Sequence, residues 1–334
     1  MRVALTYNLK KIDATKPADY FSEFDSEETV FAIRDALHKK GHSVELLEAE
    51  HRNLFSYFRK NKVDIVFNIA EGKGGKLRES EIPALLEYLN IPYTGSNTFS
   101  LALALNKALT KKILAAENIP TPNYQVFTTG DEELEAELKF PLIVKPNCEG
   151  SGKGITSTNV VKNKKELYNK IKETINNYKH EALVEEFIEG KELTVGILEN
   201  GKTTILPVLE IDFTTCQKSG EYFYSWRMKE FQGDKTAGLT PTFHCPARID
   251  RETERLVKET ALRTHHAVGC FDISRTDIRL SKDNVPYVLE INPLPGLNPS
   301  ESNFPLMAYA TGMRYEDLIE AVLVSALKRK GQVG

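Results

Sequence analysis

Two carboxylates and an amide stand close together in "DISRTDIRLSKDNVPYVLEINPLPG" (272–296). Two strand-like runs flank the short turn "SKDN", so they should pair antiparallel. Side chains alternate faces along a strand. Arg275, Asp277 and Arg279 therefore share one side of the first run, and Glu290 and Asn292 share one side of the second. A turn centred between Asp283 and Asn284 sets Asp277 opposite Glu290, with Cβ atoms about 4.5–5.5 Å apart. Carboxylates that close repel unless a cation lies between them. Mg²⁺ held by one or two carboxylates and an amide oxygen, with substrate phosphates completing its shell, is the natural occupant. The bland alternative is a surface hairpin whose acids pair with Arg275 and Arg279.

A second stretch, "VKPNCEGSGKG" (144–154), ends an apolar run with Lys145 and continues with Gly150, Gly152 and Gly154 around Ser151 and Lys153. Glycines at alternate positions let backbone N–H groups close over phosphate oxygens, and a lysine on the strand can reach the same phosphates. No helix start follows directly, so it is neither a Walker A loop nor a dinucleotide fingerprint. A plain hairpin turn is the competing reading. In "LVEEFIEGKELTVGIL" (183–198), Glu185, Glu186, Phe187 and Ile188 could form a hinge whose backbone reads an adenine edge, and Glu192 could hold a ribose. Taken alone, that stretch reads more simply as a solvated acidic hairpin.

These residues need elements to hold them. "RVALTY" (2–7), "SVELLE" and "VDIVFNIA" (63–70) read as buried strands. A helix after Asp25 separates the first two, with Asp25 and Glu28 as a capping box and Val30, Ile33, Ala36 and Leu37 as its apolar stripe. This alternation predicts a doubly wound α/β unit over residues 1 to about 95. Residues 98–117 read as one long helix, 141–155 as strand, turn, strand, and 164–176 as a polar helix. "ALVEEFIEGKELTVGIL" reads as two strands about a Gly190 turn, 213–240 as a long mobile loop, and 251–268, 304–311 and 315–329 as helices.

The chain has 334 residues and a net charge of −3. That balance excludes the basic excess expected of a nucleic-acid or anionic-membrane binder. No apolar run approaches the roughly 20 residues of a membrane span. "MRVALTYNLKK" lacks the layout of a signal peptide, and Cys148, Cys216, Cys245 and Cys270 are scattered without a C-x-x-C pair. A cytoplasmic protein with reduced thiols is expected.

Taken together and in this order, the three blocks resemble the ATP-grasp superfamily, and within it the D-alanine–D-alanine ligase family. "LLEYLNIPYTGS", "ALALNKALTKKIL" and "PLMAYATGMRYEDLIEAVL" extend the resemblance over nearly the whole chain. It implies a three-domain α/β ATP-grasp fold with an N-terminal doubly wound domain: residues 1–97, a central lid domain over 98–185 and a catalytic domain over 186–334. By the same resemblance Lys107 and Lys145 grip ATP phosphates, and Glu149, Gly150, Ser151, Gly152, Lys153 and Gly154 form the lid, with Ser151 counted among the catalytic residues. Glu185, Glu186, Phe187 and Ile188 would read adenine, Glu192 the ribose, and Lys229 in "FYSWRMKE" would reach ATP from the mobile loop. Asp277, Glu290 and Asn292 would hold two Mg²⁺ ions, or Mn²⁺ in their place. Arg275 would stabilise the tetrahedral intermediate, beside the backbone N–H of Gly296.

The implied activity is ATP-dependent carboxylate–amine ligation through an acyl phosphate, on small-molecule substrates, without nucleic acid or membrane partners; a homodimer is expected. Departures cluster at the amino-acid site. In "AEGKGGKLRESEIPALLE", Glu71 stands where the family has a histidine and Lys76 where it has a glutamate. Glu28 is the candidate for the donor's ammonium, Glu230 replaces the family's tyrosine or phenylalanine, and Ser300 or Ser302 would serve the second substrate's carboxylate. The donor is therefore expected to differ from D-alanine and to present a second charged group to Lys76 or Arg78. The rival functions are a true D-alanine–D-alanine ligase, a non-catalytic ATP-binding regulator and a carboxylate kinase.

Overall fold

Residues 1–49, 54–199 and 201–332 are described by a computed structural model. The N-terminal unit runs β1 (Arg2–Tyr7), α1 (Glu27–Lys39), β2 (Ser43–Glu48), α2 (Leu54–Lys60), β3 (Ile65–Asn68) and α3 (Glu81–Tyr88). Its strands form a parallel sheet in the order β2-β1-β3. Val3, Leu5, Ile65 and Phe67 enter one core with Val30, Ile33 and Leu37 of α1. Ala4 and Val66, one position out of phase, enter a second with Leu54, Phe58 and Leu86 of α2 and α3. Both faces are covered, which is why the strands read as unbroken apolar runs. The cap of α1 is Ser26, whose side chain accepts from the Thr29 N–H. The Asp25–Glu28 box is not formed, and Glu28 lies exposed on the outer side of the helix.

Residues 98–117 fold as two helices rather than one, α4 (Thr98–Leu105) and α5 (Lys107–Ala116). Asn106 breaks them: its ψ of 93° is extended, and its side chain accepts from the Leu109 N–H to cap α5. The break puts Lys107 at the first position of a new helix, where its N–H donates to the Asn147 carbonyl at 3.2 Å. Next come β4 (Tyr124–Phe127), β5 (Leu142–Pro146), β6 (Val160–Val161), α6 (Lys164–Tyr178) and β7 (Ala182–Glu186). They build a four-stranded antiparallel sheet, β4-β7-β5-β6. The glycine-rich turn after β5 does not lead straight into a strand as its pattern suggests. It runs through a loop and a single 3₁₀ turn before the two-residue β6.

The rest of the chain runs β8 (Gly190–Glu199), β9 (Thr203–Ile205), β10 (Leu209–Asp212), α7 (Trp226–Glu230), β11 (Thr242–His244), α8 (Arg251–Val268), β12 (Ile273–Ser281), β13 (Pro286–Asn292), α9 (Asn303–Tyr309) and α10 (Tyr315–Gln332). A six-stranded antiparallel sheet orders β11-β10-β8-β12-β13, with β9 added on β8. β7 and β8 are thus not a hairpin. Residues 187–189 carry the chain from one sheet to the other, and β8 starts at Gly190 with φ +147°. A Cβ there would overlap the Leu280 carbonyl, so the crossing needs glycine. Residues 213–240 are more ordered than their composition suggests. They hold a 3₁₀ turn (Thr214–Ser219), α7 and a small core of Cys216, Met228 and Leu239. Among the described residues no helix is long and apolar enough to cross a membrane.

Candidate active site

The β12–β13 ladder pairs Asp277 with Glu290, the register that the turn implied. A bulge follows, so that Ile278 faces Val288 and the extra residue, Leu289, turns into a cleft. Asp277 accepts from Arg275 Nε at 2.9 Å and Nη2 at 2.7 Å, from Thr194 Oγ1 at 2.7 Å and from Asn292 Nδ2 at 3.2 Å. Arg275 therefore does pair with a hairpin acid, but this hairpin is not on the surface: Thr276, Ile278 and Arg279 are buried. Glu290 has Lys107 Nζ at 3.3 Å. Burial alone would raise its pKa, yet Lys107, Lys229, Arg275 and Lys145 outweigh burial and hold it at about 2. It is a fixed anion facing several cations.

The cleft beside it is lined by β5, β7, β8 and the 187–188 crossing. Lys145 Nζ donates to Glu185 Oε2 at 2.7 Å, and Lys111 Nζ stands 3.1 Å from Oε1. Glu185 is fully buried, and the two lysines overcome burial to keep its carboxylate below its usual range. Burial draws Lys111 down to about 8. With its side chain occupied, Glu185 has only backbone to offer a base, as do Phe187 and Ile188. Glu186 is spent on Asn123 and the Lys139 N–H. Glu192 pairs with Arg279 Nη1 at 3.2 Å and accepts from the Tyr224 N–H at 3.2 Å. Arg279 also stacks on Phe187, 5.1 Å from the ring centroid. Lys229 lies over the Tyr224 ring at 5.1 Å; burial, then Arg275, lowers its pKa.

Lys111 was not among the expected site residues, and Arg279, expected only as a partner for the hairpin acids, pairs with Glu192 instead. Lys111 did carry a signal, since it follows Lys107 by four and so shares its helix face.

The glycine-rich turn sits under α7: the Trp226 N–H donates to the Ile155 carbonyl at 3.1 Å. A Cβ on Gly152, whose φ is +71°, would come within 2.9 Å of the Trp226 nitrogen. Glu149 and Gly152 line the cleft, while Gly150 and Ser151 line the larger cavity next to it. Lys153 and Gly154 line neither. Lys153 is drawn away to Glu23 at 2.7 Å and Glu149 at 3.2 Å, and the Gly154 N–H is used on Asp19 at 2.9 Å. Contrary to expectation, the fold turns neither Lys153 nor the Gly154 N–H toward the cleft.

The larger cavity holds about 460 Å³ and shares Lys107, Tyr224, Lys229, Glu290 and Asn303 with the cleft. Arg275, Gly296 and Ser302 line it; Ser300 does not, being folded back onto Asn298 Oδ1 at 2.9 Å. Glu28 is not part of it. α1 points Glu28 to solvent, and Glu23, ahead of the helix, occupies the wall instead. Arg78, rather than Lys76, is the buried cation there: it grips Glu23 and donates to the Cys148 carbonyl at 2.9 Å. Lys76 is half exposed and held by Glu181 at 2.6 Å. Glu71 and Glu79 line the cavity, while Glu81 turns away to the Lys73 N–H.

Hard oxygen donors at Asp277, Glu290 and Asn292, where the cleft meets the larger cavity, with Lys107, Lys145 and Lys229 around the cleft, fit a magnesium–polyphosphate. Glu290 is ionised before any ligand arrives, as a metal ligand must be.

A family model described as "D-ala D-ala ligase C-terminus" matches residues 113–324. The chain is 37% identical over 306 residues to a protein named D-alanine–D-alanine ligase from Carboxydothermus hydrogenoformans, covering 89% of this chain and 92% of that one. A second so named, from Desulforudis audaxviator, is 34% identical over 302 residues, with 89% and 92% covered. In structure, the chain matches a D-alanine–D-alanine ligase from Bacillus anthracis with a TM-score of 0.79 at 25% identity, over 100% of both chains.

Proposed function

The chain belongs to the D-alanine–D-alanine ligase family and is an ATP-dependent C–N ligase of ATP-grasp fold; from that premise we propose that it joins two amino acids, or similar small molecules, through an acyl phosphate. The observation that carries this reading is the meeting of two cavities at Lys107, Lys229 and Glu290. One is an apolar-walled cleft with phosphate-binding cations at its mouth. The other is polar and roomy enough for two small substrates.

In this mechanism a carboxylate oxygen of the donor attacks the γ-phosphorus of ATP, and the bond to the β-phosphate oxygen breaks to release ADP. The amine of the second substrate then attacks the acyl carbon and loses a proton, and inorganic phosphate leaves. Phosphoryl transfer asks the protein mainly for position and charge. Lys107, Lys145 and Lys229 supply fixed charge at the phosphates, and Glu149 and Gly152 close the cleft over them. Mg²⁺ bound by Asp277, Glu290 and Asn292 would neutralise the phosphate oxygens. Arg275 stays a cation, because Asp277 and Glu290 outweigh the cost of its burial, and it stands with the Gly296 N–H where an oxyanion develops. The homodimer belongs to the same proposal.

The names of the relatives favour a second reading, in which both substrates are D-alanine. A coupled ADP-release assay over D- and L-amino acids, singly and in pairs, tests both. Release that requires a carboxylate and an amine together supports ligation. Release with a carboxylate alone would make the protein a kinase, and no release with any pair would leave it a nucleotide binder.

A further inference from the structure

Three carboxylates reach the larger cavity from separate segments: Glu23, Glu71 and Glu79 present oxygens within 4.8 Å of one another. Glu23 is already neutralised. Arg78 holds both its oxygens, Lys153 approaches at 2.7 Å, and the Gly150 N–H donates to it at 2.7 Å. Glu71 and Glu79 have no hydrogen bond or ion pair among the described residues, and Asp25 on the same wall has no cation. Burial and neighbouring acids push the Glu71 carboxyl well above its usual range; burial, with Glu23 and Glu290, pushes Glu79 up to about 7.

A separate group lining the same cavity is also unmet. Asn303 is 7% exposed, and its Oδ1 is buried without a donor. The cations on the cavity wall are committed elsewhere: Lys10 to Glu230 at 2.6 Å, Lys107 to Glu290, and Arg275 to Asp277 at 2.7 Å. Lys229 is stacked on Tyr224 at the end shared with the nucleotide cleft. Lys76 or Arg78 is the expected partner for a second charged group on the donor. Both are neutralised in the fold, by Glu181 and Glu23, and the groups left without a partner are carboxyls.

We propose that the carboxylate donor is a diamino acid, whose two ammonium groups are received by Glu71, Glu79 and Asp25 while its carboxylate points toward the end of the cavity shared with the nucleotide cleft. The inference rests on the ligase reading above. A single α-ammonium meets one of these acids and leaves the others without a cation, as alanine would. A bare metal ion would leave most of the 460 Å³ unfilled and would bring no carboxylate to the nucleotide. Sites that leave buried partners unpaired discriminate by about 10²-fold or more.

Trp226, the single tryptophan, lines the same cavity, so its fluorescence reports occupancy without turnover. The wild-type protein is titrated with 2,3-diaminopropionate, ornithine and lysine in both chiralities, with alanine and glutamate, and with Mg²⁺ or Mn²⁺ alone. In parallel, kcat/KM is measured from ADP release with the same donors. At least one diamino acid should bind ten-fold or more tighter than alanine and glutamate, and should lead in kcat/KM. Glu71→Gln and Glu79→Gln should each shrink that preference about ten-fold without lowering the melting temperature. Alanine or glutamate as the tighter ligand, a preference untouched by both substitutions, or a metal ion that displaces the diamino acid would each overturn the proposal. Tight diamino-acid binding with no ADP release would leave this site standing and overturn the ligase reading; release with alanine as best donor would do the reverse.

Discussion

Glu290 stands where Lys107, Lys229, Arg275 and Lys145 all act on one carboxylate. Glu290→Gln removes the charge and keeps the shape. It should cost about 10²–10³ in kcat with the circular dichroism spectrum unchanged; undiminished turnover would remove Glu290 from the metal site. Glu79 carries the opposite sign of pH dependence. Its carboxyl titrates at 4.5 when unfolded and at about 7 when folded. Between those values the folded protein holds a proton that the unfolded chain does not, so Glu79 lowers stability as pH rises from about 4.5 to about 7. Glu79→Gln should therefore raise the unfolding midpoint at pH 8 and leave it nearly unchanged at pH 4. An equal gain at both pH values would contradict the assignment. Arg78→Ala leaves Glu23 with Lys153 as its one cation among the described residues, beside the Gly150 N–H, and should cost on the order of 3–5 kcal/mol in denaturant unfolding. A change within about 0.5 kcal/mol would mean that Arg78 does not hold this wall together.

Among the elements, the segment over 213–240 makes the most testable contact. α7 rests on the glycine-rich turn through Trp226, and Lys10 Nζ meets both Glu230 oxygens, at 2.6 and 2.8 Å, across the mouth of the cavity. That ion pair is partly exposed, so it is worth at most about 1 kcal/mol, enough to bias a lid but not to hold the fold. Limited proteolysis should cut within 213–240 in the free protein and slow when ATP and Mg²⁺ are added. Lys10→Ala should speed the first cleavage several-fold and leave the global melting temperature unchanged. Cleavage rates indifferent to nucleotide would argue against a lid.

Where elements begin and end was only partly legible in the sequence. Periodicity shows apolar runs, so β1, α1, α6 and α8 could be read, and the turn residues placed Asp277 opposite Glu290. Asn106 hides a break because asparagine is tolerated within a helix, and only its role as a cap splits the run. Gly190 looks like a hairpin turn because nothing local says that the two strands join different sheets.

At the scale of the whole molecule, the two antiparallel sheets and the segments that follow β1 and β3 surround two adjoining cavities. Most of the proposed nucleotide cleft was legible because Lys145, Glu185, Glu290 and their neighbours come in blocks whose order and spacing are distinctive. Glu23, Arg78 and Glu79 were harder to place. Glu23 lies in a loop, and Arg78 and Glu79 in a single 3₁₀ turn, too short for a period to fix which way a side chain points, so Glu28 and Lys76 read equally well from the sequence. The central claim is that the donor carboxylate passes through an acyl phosphate. It is tested most directly by running the ligation with the best donor carrying ¹⁸O in its carboxylate and analysing the phosphate by mass spectrometry. The account predicts one ¹⁸O atom in each inorganic phosphate formed, with ADP as the only nucleotide product. Ligated product accompanied by unlabelled phosphate, or by ¹⁸O in AMP, would contradict it.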